Sequence, residues 1–122
     1  MGYMKHDVVV ATMSDSVAPD MDAFRASIPE RFRSIVIGPI PGVINGYVTC
    51  AMLPDGSKEG WADSDEADAI RARFVALFGQ RYEDGSSDFD VVHAEFGGDF
   101  TYESGINAAD PRTGEWRREA GQ

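Results

Sequence analysis

The chain has one cysteine, two histidines and no apolar run near the roughly 20 residues a membrane helix needs. Cys50 alone cannot close an internal disulfide, so the expected compartment is a reducing cytoplasm. In "YVTCAML" it reads as a buried structural thiol, because a reactive thiolate wants a basic, partly exposed neighbourhood. The opening "MGYMKHDVVVATMSD" does not predict a signal peptide, its apolar run being too short and followed by no small-residue cleavage site.

His6, His93 and Cys50 make no zinc set. "DGSSDFD" lacks the spacing and distal glutamate of a calcium loop. "PIPGVING" and "GGDF" match neither the phosphate loop nor the dinucleotide fingerprint, and no serine sits in G-x-S-x-G. No metal or cofactor is expected, and nucleophilic catalysis has no visible support.

Basic residues are scarce where acids are dense. Residues 82–103 carry seven acids, Glu83, Asp84, Asp88, Asp90, Glu95, Asp99 and Glu103, and no Lys or Arg. The whole chain has 21 acids against 11 bases, a net charge of −10. Such a surface repels phosphates, so direct nucleic-acid binding is not expected. Solubility explains the charge most simply. The sharper reading is an acidic face, Glu83, Asp84, Asp88 and Asp90, that docks on a basic protein.

Apolar residues make up 43% of the 122, enough for one core without staples. The β-branched stretch 6–13 predicts a buried strand. Val17, Met21, Phe24 and Ile28 form one helical stripe, with Ser16 as N-cap and Pro29 as stop. Residues 31–38 predict a second strand, Asn45-Gly46 a hairpin turn, and 47–53 a third strand. Pro39 and Pro41 confine the hairpin's first arm to an edge or a loop. Residues 54–57 are a turn, and 58–61 run back briefly beside the third strand. A second helix follows over 63–78. Ala67, Ile70, Phe74, Leu77 and Phe78 share its face, Asp63 and Glu66 form a capping box, and Gly79 ends it. A strand over 89–96, a turn at Gly97-Gly98 and a return over 100–103 complete the pattern. Residues 1–106 are expected to be one domain, and 107–122 a polar tail.

This order predicts an α+β fold, the ferredoxin-like split β-α-β-β-α-β sheet with both helices on one face and an added C-terminal strand. A two-residue turn at Gly97-Gly98 would pair His93 with Tyr102 and Glu95 with Phe100. Val92, Ala94 and Phe96 would then face the helices. His93, Glu95, Phe100 and Tyr102 would gather on the bare face, as an ordinary half-wet strand, a binding face or an acid–base cluster. Trp61 is expected to plug the sheet–helix edge or wall a pocket, and Trp116 to anchor a partner or pack back on the domain. Phe89, Val91, Phe100 and Tyr102 would expose aromatic surface, which predicts a homodimer through that face or an edge strand.

The stretch "LPDGSKEGWADSDEADAIRARF", residues 53–74, resembles a segment of small uncharacterised actinobacteriophage proteins. The resemblance transfers no functional residue and implies an accessory protein acting in the cytoplasm of an infected bacterium. Two functions are carried forward. The first is a non-enzymatic acidic protein that engages a host protein. The second is a small-molecule-binding or enzymatic dimer using His93, Glu95 and Tyr102, which requires a concave pocket beside His93.

Overall fold

The structure, a computed structural model, describes residues 5–58, 60–97 and 107–118, the side chains of 115–118 apart. It is α+β: six strands, β1 (Lys5–Ser14), β2 (Val36–Pro41), β3 (Tyr47–Met52), β4 (Phe89–Gly97), β5 (Asn107–Asp110) and β6 (Glu115–Arg118), with helices α1 (Met21–Ala26) and α2 (Ala62–Ala76). The strands form one antiparallel sheet ordered β2-β3-β1-β4-β5-β6. No helix among the described residues is long and apolar enough to cross a membrane.

Alternation in β1 places Val9, Ala11 and Met13 on the core side. Register brings them opposite Met52, Cys50 and Val48 of β3. On β4, Ala11 and Met13 face Val91 and Phe89. Both helices lie over this side. Phe24 of α1 meets Phe74 of α2 edge to face at 6.0 Å, and the chain of rings continues through Phe78 at 5.1 Å to Phe89 at 5.5 Å. Cys50 is buried in this core as expected, and burial pushes its thiol up.

Several local expectations shift for identifiable reasons. Pro19 forces Ala18 into extended backbone, so the helix cannot run on from Ser16; residues Asp15–Val17 make a 3₁₀ turn instead. Asp20 is the N-cap of α1, accepting from Ala23 N at 3.0 Å. The strand expected over 31–38 begins only at Val36, because Glu30–Ile35 forms a 3₁₀ helix that buries Phe32. Asp63 and Glu66 do not cap α2; both pair with Arg31. Residues 53–58 and 60–61 add no strand beside β3.

Asn45 and Gly46 both take positive φ, 64° and 68°, as the hairpin requires. β2 lies at the sheet edge and carries its prolines there. Its ladder is irregular between Ile37 and Ile40. At Gly38, φ is 108° and a Cβ would come within 2.6 Å of Thr49 O, so glycine is required.

The largest difference lies at the C-terminal side. Asn107–Asp110 pairs with β4, and Glu115–Arg118 with Asn107–Asp110, so the segment expected to be a tail extends the sheet. Arg112 fastens this extension: its guanidinium grips Asp110 and donates to Phe78 O and Ser87 Oγ, both at 3.0 Å. The bonds from Arg112 hold the Asp110 carboxyl down at about 2 against a smaller opposing effect of burial.

Candidate ligand-binding cleft

Along β4, the residues in phase with buried Phe89 and Val91 are His93 and Glu95. They therefore lie on the helix side of the sheet, and Val92, Ala94 and Phe96 lie on the bare side, the reverse of the expected assignment. The reason is register. Val91 pairs with Ala11 and Phe89 with Met13, which are core residues, whereas Val92 pairs with Val10 and is 40% exposed. The neighbour of His93 on its other side is Ala109 of β5, which excludes the expected pairing with Tyr102. Phe100 and Tyr102 lie outside the described residues, as does the 100–103 strand.

What gathers around His93 comes from elements the sequence reading left apart. Asp7 is the first buried residue of β1 and lies across the ladder from Glu95. Its Oδ1 is 2.8 Å from His93 Nε2. Burial alone would push the Asp7 carboxyl up. The His93 hydrogen bond and the charges of Arg71, His93 and Lys5 outweigh it and hold the carboxyl below its ordinary value. Asp7 is therefore ionised at neutral pH, and His93 Nε2–H donates to it. Lys5 Nζ pairs with Glu95 Oε2 at 3.2 Å.

Arg71 reaches this cluster from α2. It is 4% exposed, pairs with Asp68 at 2.7 Å and Asp55 at 3.3 Å, and its buried Nε has no partner. Between α2 and the β4–β5 side of the sheet opens a cleft of about 430 Å³. Asp68, Arg71, Ala72, Val75, His93 and Pro111 line it. Its wall is thus apolar over Ala72, Val75 and Pro111, with charge and an imidazole beside them, the mixture small-molecule sites use.

The other expected site residues lie elsewhere. Trp61 does not plug the sheet–helix edge: it is 51% exposed, its ring lies 5.6 Å from the Lys58 ammonium, and it walls a separate hollow of about 250 Å³ with Arg31, Phe32 and Asp63. The backbone at Trp116 belongs to β6, opposite Ala109. Glu83, Asp84, Asp88 and Asp90 are all exposed, Asp88 accepting from Tyr82 Oη and Asp84 from Ser86. Phe89 and Val91 are buried, so neither contributes to an exposed aromatic patch.

The sequence reading missed Asp7, Lys5 and Arg71. A signal for Asp7 was present: in "KHDVVVATM" a carboxylate stands in phase with Val9, Ala11 and Met13. A charged group in a core stripe calls for a partner. Nothing in the sequence tied Arg71 to β1 or β4. Compared with protein families, with curated proteins and with solved structures, the chain finds no match.

Proposed function

We propose that this chain binds a small, partly apolar molecule in the cleft between α2 and β4, with His93 as its principal polar contact. One observation carries the reading: the imidazole held by Asp7 stands in the wall of a concave site of about 430 Å³. Pinning by Asp7 fixes the ring's orientation and tautomer, so a ligand meets a preset hydrogen-bonding group. Tyr102 drops out of this reading as a named contact. The sheet order β2-β3-β1-β4 and the two helices on one side support a ferredoxin-like scaffold, on which function belongs to the site and not the fold.

Methyl and amide NMR against a fragment set of small amines, carboxylates and aromatics tests it. Shifts should concentrate on Ala72, Val75 and His93, disappear in Val75→Arg, which fills the cleft, and weaken in His93→Gln. Hits confined to the Trp61 hollow, or shifts indifferent to Val75→Arg, would sink the proposal.

A second reading is favoured by the exposure of Glu83, Asp84, Asp88 and Asp90: a phage accessory factor in the host cytoplasm whose acidic loop meets a basic host protein. Complementary charge mainly speeds encounter, and it is screened beyond about 8 Å at physiological ionic strength. Capture should therefore fall with rising salt and with the four residues changed to their amides; capture indifferent to both rejects it. A homodimer is proposed through the bare sheet face, where Val8, Val10 and Val92 replace the residues first expected there. A solution mass of 13.3 kDa by light scattering would remove it.

A further inference from the structure

We propose that Asp7, His93 and Glu95 form a binding site for a divalent first-row transition-metal ion. The β1–β4 ladder sets Asp7 opposite Glu95, with His93 two residues earlier on the same side. One donor atom from each lies within 4.8 Å of the others. Asp7 Oδ1 and His93 Nε2 are 2.8 Å apart. Neighbouring donors around an ion with bonds of about 2.1 Å stand about 3 Å apart, so this pair needs little movement. The three donors come from the rigid backbone of two paired strands, which limits the ordering cost.

Charge favours a cation here. Among the described ion pairs, Glu95 meets Lys5, Asp55 and Asp68 share Arg71, and Asp7 meets His93. Side-chain exposures of 11% for Asp7, 15% for His93 and 20% for Glu95 reduce screening by water. One imidazole with two carboxylates suits zinc or manganese; magnesium prefers oxygen donors alone and keeps its waters.

Binding must displace the described contacts of His93 and Glu95. The proton on His93 Nε2 must move to Nδ1, which gives up the hydrogen bond to Asp7 Oδ1 and frees both atoms for the ion. The Lys5 ammonium must release Glu95, so Lys5 competes with the ion. The site shares His93 with the cleft of the proposed function but needs no organic ligand there.

Calorimetric titration of the chelator-stripped full chain with zinc chloride and manganese chloride tests the proposal. One ion should bind per chain, zinc more tightly than manganese. Glu95→Gln or Asp7→Asn should weaken binding at least about 10-fold. Lys5→Met should tighten it several-fold, an effect no purely structural role for Glu95 would produce. The four amide changes at Glu83, Asp84, Asp88 and Asp90, on a loop outside the site, should leave it unchanged. Circular dichroism checks folding; if Asp7→Asn does not fold, Glu95→Gln and Lys5→Met carry the comparison. Absence of binding at millimolar ion overturns the site. Affinity indifferent to Glu95 and Lys5, or lost with the loop amides, does the same.

Discussion

Phe74→Ala should cost about 3–5 kcal/mol and bring the chain close to unfolding, since whole domains are stable by only about 5–15 kcal/mol. Phe74 is 0% exposed and stands in the middle of the ring series, in edge contact with Phe24 of α1 and Phe78 beyond α2. Truncation removes the surface joining both helices to each other and to the sheet. The helices also stay too short to help by themselves: α1 has six residues and α2 fifteen, lengths at which isolated helices are marginal in water. Urea midpoints of Phe74→Ala and Val92→Ala make the comparison, because Val92 lies on the bare face and is 40% exposed. A Phe74→Ala shift no larger than that of Val92→Ala would mean that the ring series does not hold the layers together.

The core was legible in the sequence because its positions obey simple periods. Met21, Phe24 and Ile28 keep helical spacing, as do Ala67, Ile70 and Phe74, and all are buried. The β4 phase was not legible, for a physical reason. Phe89 and Val91 are apolar in one phase, Val92, Ala94 and Phe96 in the other. The longer apolar set looks like the core, but the helices cover only the Phe89–Val91 end. Beyond it the covered side opens into the cleft, and a polar His93 and Glu95 can occupy core-phase positions because Asp7, Lys5 and Arg71 meet them. That compensation comes from residues 22 to 90 positions away, and local pattern carries no information about it. The strands β5 and β6 escaped for a related reason. Asn107–Asp110 has little β-propensity and is held through pairing with β4 and the grip of Arg112.

Arg71→Met should destabilise the protein by about 3 kcal/mol at pH 7, and by less at pH 3. Methionine keeps the apolar stem beside Ala72 and Val75 while removing the charge, so the loss reports electrostatics more than packing. Arg71 pairs with Asp55, whose side chain is 14% exposed, and its charge helps hold the Asp7 carboxyl down. The Asp68 pair adds little, since that carboxylate is 62% exposed. A carboxyl lowered in the folded state stabilises fully above its unfolded value, near 3.9, and loses that contribution as pH falls through the folded value. Without Arg71 the Asp7 carboxyl titrates higher, so the variant should begin to lose stability at a higher pH than the parent. Below both transitions Asp7 is protonated in each protein, the Arg71–Asp7 attraction is gone, and the gap narrows. Urea unfolding at both pH values measures this. A gap of the same size at pH 7 and pH 3 would assign Arg71 to packing alone and would remove the electrostatic link between α2 and the His93–Asp7 pair on which the cleft's polarity depends.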